Sequence, residues 1–351
     1  MKRRVHFVLA AWAAWMVLVL TAGAVYLQNR STGENMTQAA KAYLATLTEE
    51  QRAISLMEYD TPQRVGWHFI PKSQRKGLQI RDMNQDQRSA ALELLKAALS
   101  QVGYDKARTI MELESILHEL EKTRRGGAIR DPQRYYYTIF GELDESGRWG
   151  LSIEGHHLSL NFVVHENQVI ASTPTFLAAN PSVVKDEFPG MPPRGTRVLD
   201  QEEQIAFDLI RSLDSEQRSA AIIADRAPYD IRAAGEAEAP KYEATGLAYS
   251  RMNETQQSTL RRLIQVYANN LPQDVCAQHL AEIEQAGYDR VYFAWAGADR
   301  PGIGHYYLIQ GPTFQIEFVN VQPDSAGNPA SHIHSVWRDP RGDFAIPITA
   351  E

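Results

Sequence analysis

The order of hydrophobic and polar residues predicts helices followed by strands, twice along the chain. Leu92, Leu95 and Leu99 keep the spacing of an amphipathic helix, and Asn84 precedes them as an N-cap. Asn253 opens a comparable stretch in the second part. One further helix is expected in each part, at about 106–120 and 274–285.

After the helices the hydrophobic period falls to two, which predicts strands. Leu158, Leu160 and Phe162 are expected to face the core, whereas His157 and Asn161 are expected on the opposite face. Helices followed by strands, with glycine at the breaks, indicate an α+β fold of antiparallel hairpins. The expected strands are 134–141, 149–154, 157–165 and 168–174, then 290–297, 304–310 and 313–320.

The two parts also resemble each other in sequence. Arg134–Gly141 aligns with Arg290–Gly297, and at the same offset Ile153–Gly155 aligns with Ile309–Gly311. We therefore predict two pseudo-repeated halves, each with helices followed by an antiparallel β-meander. They comprise 37–187 and 201–351, joined by a Pro-rich linker at 188–200, and the second half includes the C-terminal His332-x-His334 segment.

Residues 1–30 have the pattern of a membrane or export segment. Lys2-Arg3-Arg4 precedes Val5–Leu27, an apolar stretch long enough to cross a bilayer, with its basic flank on the cytoplasmic side. A single-pass anchor is favoured, and a removable signal peptide is the alternative because Ala22–Ala24 resembles a cleavage site. Either way the rest of the chain is expected outside the cytoplasm, periplasmic or extracellular, and secreted if cleavage occurs.

Charge and cysteine content narrow the class of protein. The formal net charge of −7 argues against a nucleic-acid partner. The single cysteine, Cys276, excludes an internal disulfide. Cys276 and His279 are spaced for a nucleophile–base pair on a helix, although a buried, inert cysteine is the stronger interpretation. The chain lacks the Gly-x-Ser-x-Gly, phosphate-loop and His-Glu-x-x-His motifs.

Two histidine clusters supply the candidate chemistry. His156-His157 lies in the first half and His332-x-His334 in the second. The first pair is absent from the aligned positions of the second half, which favours a local role. Neutral imidazole is a common metal ligand, and a His-x-His pair on a strand places both rings on one face. We predict that His157, His332 and His334 bind a divalent metal, zinc or copper, with one coordination position open.

Neighbouring residues are predicted to assist this site. Adjacent strand residues point to opposite faces, so His156 is expected as an alternate ligand or general base; a bulge at Gly155 would relax that limit. Arg338 is suited to hold a substrate carboxylate and Trp337 to stack on a ring, and the equal alternative is an anchored C-terminal turn with local Arg–Asp pairs. The predicted catalytic residues are His156, Arg338 and Asp339; the predicted substrate-binding residues are Trp337 and Asn161; and the predicted ring-orienting residues are Glu154, Asn161 and Asp339.

Three segments resemble a known family, domain-of-unknown-function family 3500. They are Gly155–Phe162, Thr173–Leu177 and His332–Asp339, and the resemblance extends from about residue 40 onward. The family carries no established activity, so the resemblance supports these positions without implying a reaction. A membrane anchor would be a departure from members that look simply secreted.

Together these features predict a membrane-anchored, extracytoplasmic protein with a histidine-based metal site. It would act as a metal-dependent hydrolase or a copper redox enzyme on a small-molecule or peptide substrate. The alternatives are a metal-free polar pocket, and a non-catalytic binding or envelope-assembly module whose histidines are structural. Whether the protein is an enzyme, and its oligomeric state, are left open by the sequence.

Overall fold

The structure is a computed structural model that describes residues 31–123, 129–144, 146–241 and 243–346. The anchor or signal segment expected at 1–30 lies outside these residues. Among the helices that are described, none has the length and apolar character needed to cross a bilayer.

Eight α-helices form in the described part of the chain. Four of them begin at capping boxes, in which an N-cap side chain and a glutamine three residues later satisfy each other's backbone N–H groups. The predicted N-caps Asn84 and Asn253 are both confirmed. The helices are α1 Thr32–Ala45, α2 Glu49–Ser55, α3 Gln85–Ala98, α4 Gln101–Glu121, α5 Asp200–Ser212, α6 Ser215–Ala221, α7 Glu254–Ala268 and α8 Gln273–Ala286.

Thirteen strands form one largely antiparallel sheet, which confirms the α+β class. Its main path runs β1-β3-β4-β5-β7-β13-β12-β11-β10-β8, with β2 on β3, β6 on β5 and β9 on β10. The strands are β1 Leu56–Met57, β2 Leu78–Gln79, β3 Tyr136–Phe140, β4 Arg148–Gly155, β5 Leu158–His165, β6 Gln168–Ala171, β7 Thr175–Ala179, β8 Ile222–Ala224, β9 Leu247–Ala248, β10 Tyr292–Gly297, β11 His305–Gln310, β12 Gln315–Gln322 and β13 His332–Arg338.

The sheet has a helical face and a loop face. Alternate strand residues, including Leu158, Leu160 and Phe162, pack with the helices in the main core, as expected from their period of two. The residues between them pack on the other face with Trp67, Phe69 and other loop residues. The candidate metal-binding side chains lie at one end of the central strands of this sheet.

The two meanders pair their strands in the same register. Tyr136 pairs with Glu154 in the first, and Tyr292 pairs with Gln310 in the second. β1 is parallel to β3, and β8 is parallel to β10. Strands β7 and β13, one from each part of the chain, join the two meanders through direct pairing.

Several predicted boundaries differ from the structure. Ser100 caps α4, so that helix begins at Gln101 and not near 106. The strand expected at 168–174 is β6, which ends earlier, at Ala171. β7 and β13 were not predicted as strands, although they form the centre of the sheet. Within the expected linker, Phe188 and Met191 pack against a small cluster beneath α4.

Candidate metal centre

The first histidine pair lies in the turn between β4 and β5. Gly155 pairs with Leu158 across this turn, and His157 has a left-handed backbone (φ 64°). The expectation of His157 inside a strand at 157–165 is therefore wrong by one residue. The chain reverses direction at the pair, so the two rings do not point to opposite faces. They stack, with centroids 3.6 Å apart.

Tyr135 explains why a glycine precedes the pair. A Cβ atom on Gly155 would lie 2.2 Å from the Tyr135 ring, far inside van der Waals contact. The Tyr135 hydroxyl donates a 2.9 Å hydrogen bond to the carbonyl of His156. The ring of Tyr135 therefore packs against the turn and fixes its first residue.

The second pair lies on strand β13, as an extended His-x-His segment should. His334 pairs with Ala178 of β7, and on the other side the Ala178 N–H donates to the carbonyl of His157. Ala178 therefore lies between His334 on one side and His157 on the other. Its methyl group occupies little space, so rings from both neighbours can meet above it.

The three imidazoles predicted as ligands come together at this place. The Nε2 atom of His157 lies 2.8 Å from Nε2 of His332, which lies 3.0 Å from Nε2 of His334. One ligand atom from each residue falls within 4.8 Å of the other two, an arrangement that could hold a metal ion. His157 and His334 are buried, while His332 is partly exposed and lies on the side open to solvent.

Burial keeps the rings of His157 and His332 neutral. It lowers the pKa of His157 well below its usual range and the pKa of His332 to about 3. Neighbouring histidines act in the same direction, because a second imidazolium at this distance would be repelled. Neutral imidazole is the form that binds metals, so metal binding at neutral pH requires no deprotonation of these two rings.

Asp230 orients His334. Its carboxylate lies 2.8 Å from Nδ1, which must therefore carry the proton and leave Nε2 as a lone pair toward the other rings. Asn180 lies 3.3 Å from Nδ1 of His332. The orienting carboxylate was not predicted: Asp230 lies in a polar connecting segment about 100 residues from His334, and no local pattern marks it.

The residues predicted to orient the rings bind elsewhere. Glu154 forms an ion pair with Lys76, Asn161 donates to the carbonyl of Pro174, and Asp339 pairs with Arg341. These contacts do not involve the rings of His157, His332 or His334, and the prediction for the three residues rested on proximity in sequence alone. Asn161 is buried in the sheet, which leaves it without access to a substrate.

A second polar group extends the site toward the helices. Nδ1 of His156 lies 2.5 Å from Glu114 on α4, and Arg130 Nη1 lies within 3.1 Å of both His156 ring nitrogens. Burial raises the pKa of Glu114 to about 8 and lowers that of His156 well below its usual range. Glu114, His156 and His157 form a second group that could hold a cation, but the Arg130 charge opposes one there.

Arg338 and Trp337 lie outside this cluster. Arg338 is completely buried and donates to Asp343 at 2.7 Å and to the carbonyls of Ala233 and Glu236. Its donors are thereby held within the protein, which corrects the expected role in substrate binding. Trp337 faces the opposite side of the sheet, toward the helices, and is also buried.

The Cys276–His279 pair does not form a nucleophile–base contact. Cys276 is buried and lies 3.7 Å from the side-chain oxygen of Asn269, while His279 contacts the hydroxyl of Ser172 at 2.8 Å. Burial raises the pKa of the Cys276 thiol, which disfavours the thiolate. This geometry agrees with the interpretation of Cys276 as an inert core residue.

Comparison with known proteins gives one match. A family model described as a protein of unknown function (DUF3500) matches residues 29–346. No curated protein and no solved structure matches the chain.

Proposed function

Because the chain belongs to the DUF3500 family of proteins of unknown function, we propose its function from its own geometry: His157, His332 and His334 hold one zinc or copper ion. The observation that carries the proposal is the convergence of three Nε2 atoms. Neutral imidazole has one N–H, and Asp230 engages that of His334. The Nε2 atom of His332 faces the Nε2 atoms of both His157 and His334, and a ring nitrogen can donate or accept only one hydrogen bond. The two contacts therefore cannot both be hydrogen bonds, and a cation between the three nitrogens would satisfy them.

The dimensions are close to those that such an ion needs. Zinc–imidazole bonds of about 2.0–2.1 Å in a tetrahedron separate the nitrogens by about 3.4 Å. The present separations from His332 are 2.8 and 3.0 Å, and all three ligand atoms lie within 4.8 Å of one another, so the rings would move to make the three separations more equal. Three protein ligands leave a fourth position for water or substrate, on the side where His332 is partly exposed.

We further propose that the centre is catalytic. A bound zinc ion would supply an activated water for hydrolysis, and a copper ion would supply a redox step. His156 stacks on His157 and contacts Glu114 next to the centre, but its lowered pKa and the Arg130 charge disfavour it as the general base. Arg130 and Glu114 fix its ring by contacts on both nitrogens.

Elemental analysis of protein purified without a polyhistidine tag tests the metal proposal. We expect stoichiometric zinc or copper in the wild type and its loss in His157→Ala. His165→Ala is the matched control, since His165 lies at the end of β5 far from the turn that carries His157, and its one hydrogen bond within the described residues is to the carbonyl of Gly147. If the wild type contains no metal and the His157→Ala variant folds as the wild type does, the result would instead support a non-catalytic binding or assembly module.

We also propose that the chain is anchored in a membrane by residues 1–30, with the described residues outside the cytoplasm. The support is the basic Lys2-Arg3-Arg4 followed by apolar Val5–Leu27. The mass of the mature N-terminus tests it: an intact segment indicates an anchor, and cleavage after Ala24 indicates a secreted protein.

The last proposal is that the two halves are a structural repeat. Equal strand registers and a repeated glutamine contact support it: Gln51 and Gln87 bond reciprocally in the first half, as Gln217 and Gln256 do in the second. An experimental structure should superpose residues 136–164 on 292–320. A register shift between the two meanders would contradict a repeat.

A further inference from the structure

An open cleft lies beside the candidate metal centre on the loop face of the sheet. Its volume is about 600 Å³, within the range of small-molecule sites. One wall is the segment between the short 3-10 helix Pro62–Arg64 and strand β2. The other wall includes Glu154 and Gly235. The side chains lining it that carry charge are Lys72, Arg75, Lys76 and Glu154.

The wall of this cleft carries excess positive charge. The side chains of Arg75 and Lys76 are 3% and 8% exposed, and within the described residues Glu154 is the one carboxylate that forms ion pairs with them. Their other contacts are carbonyl oxygens: Arg75 donates to His68 and Ile70, and Lys76 donates to Gly66. Carbonyls satisfy hydrogen bonds without cancelling charge, so at least one cation remains uncompensated in a poorly solvated wall.

Lys72 adds a mobile charge at the cleft opening. It is exposed, and its ammonium forms no hydrogen bond within the described part of the chain. Burial lowers the pKa values of Arg75 and Lys76, and the charges of Arg75 and Lys72 lower that of Lys76 further. An anion in the cleft would therefore stabilise all three groups. The chain as a whole has a net charge of −7, so this positive surface is local.

The cleft adjoins the histidines on two sides. Lys72 and Arg75 also line a small cavity whose other walls include Glu114 and His156. His68 lines the cleft, and the next residue, Phe69, packs its ring against His334 with centroids 4.8 Å apart. A ligand held in the cleft would therefore lie next to both parts of the candidate site.

We propose that this cleft binds the oxyanion group of an anionic substrate, a phosphate or a carboxylate, through Lys72 and the buried cations Arg75 and Lys76. The oxyanion site stands on the charges and shape of the cleft. Its assignment as the substrate site rests on the metal centre proposed above.

Calorimetric titration of the full chain with inorganic phosphate, and separately with succinate, tests the proposal at low salt. We expect saturable binding of at least one anion, and a loss of about five- to tenfold in affinity in Lys72→Gln, as removal of one exposed charge allows. Lys72→Arg should retain most of it. Phosphate alone, or succinate alone, would identify which oxyanion the site accepts.

Lys41→Gln is the matched control. Lys41 is also exposed and lines a cleft of similar volume, about 560 Å³, with Arg52 and Glu142 near α2. Its removal should leave anion affinity unchanged. The proposal is overturned if neither anion binds the wild type, or if Lys41→Gln weakens binding as much as Lys72→Gln does.

Metal content measured on the same samples separates the two proposals. Anion binding that depends on Lys72 in a metal-free protein would retain the oxyanion site and refute the metal centre. A stoichiometric metal without anion binding would retain the metal centre and refute the oxyanion site.

Discussion

His332 and Arg338 lie at opposite ends of strand β13, on the same face, but their polar atoms have different surroundings. The guanidinium of Arg338 is fully buried, paired with Asp343 and bonded to two carbonyls. The ring of His332 faces two other imidazoles, and its Nε2 atom lies 2.8 Å from that of His157 and 3.0 Å from that of His334. One end of the strand has its hydrogen-bonding capacity filled by the fold. The other end has facing nitrogens that a cation would satisfy.

The comparison shows that residue type and sequence proximity do not define a site. Arginine, tryptophan and aspartate beside a His-x-His motif predicted a substrate-binding group, yet Arg338 and Trp337 serve the core. A residue is available for chemistry only where the fold has left its polar atoms incompletely satisfied. The predictions below test this difference between the two ends of β13.

Replacing Arg338 should have the largest effect, and it should be on stability. Arg338→Ala leaves the buried carboxylate of Asp343 unpaired, which costs about 3–5 kcal/mol of unfolding free energy. Urea unfolding measures this change. The folded fraction should retain its metal, because Arg338 makes no contact with the histidines. Loss of metal from a stably folded Arg338 variant would mean that the two ends of β13 are functionally coupled.

Replacing Asp230 should affect the metal and leave the fold largely intact. Asp230→Asn removes the carboxylate that orients His334, and such outer partners are worth about 10- to 100-fold in metal affinity. Asp230 is partly exposed, so unfolding free energy should change little. Competition with a metal chelator measures the affinity. Asp225→Asn, an exposed substitution in the same connecting segment, is the control and should bind as the wild type does.

Acid should act on the two ends of the strand in opposite directions. The pKa of His332 is about 3 in the folded chain and about 6.5 when exposed, so the unfolded state takes up its proton first. This histidine therefore contributes a loss of about 2 kcal/mol as the pH falls from above 6.5 to 5. The pKa of Asp343 is raised by burial, so its contribution becomes more favourable as the pH falls.

Urea unfolding of metal-free protein at pH 7.5 and pH 5 measures the balance. His332→Gln should remove about 2 kcal/mol of the acid-induced loss, because glutamine does not titrate. An unchanged difference between the two pH values in this variant would show that His332 is accessible to protons in the folded chain.

The features predictable from sequence were those carried by neighbouring residues. The N-caps at Asn84 and Asn253, and the inward-facing Leu158, Leu160 and Phe162, depend on contacts within a few positions. Such patterns are local, so they can be recognised without knowing how the strands of the sheet pair. The three predicted metal ligands also lie together, because the pairing of β7 with β13 brings the His332-x-His334 segment next to the turn that carries His157.

The unpredicted features depend on contacts between distant segments. Glu114 reaches His156 from a helix 42 residues earlier, and Asp230 reaches His334 across 104 residues. The predicted strand at 157–165 includes His157 because the residues after it alternate regularly, whereas β5 begins one residue later, at Leu158. The geometry of the turn at His156-His157 depends on Tyr135, which lies about 20 residues earlier in the chain and is not part of the local pattern at 155–158.

The smallest expected effect belongs to Trp337, which the motif suggested as a substrate-binding residue. Its ring packs at 5.5 Å from those of His279 and Phe314 on the helical face, and its indole N–H has no partner within the described part of the chain. Trp337→Phe removes that N–H and some volume, so unfolding free energy should change by less than about 1.5 kcal/mol. Metal content and anion affinity should match the wild type. If either falls while stability holds, the core on the helical face must communicate with the histidines through β13, and the separation of the two faces argued here is wrong.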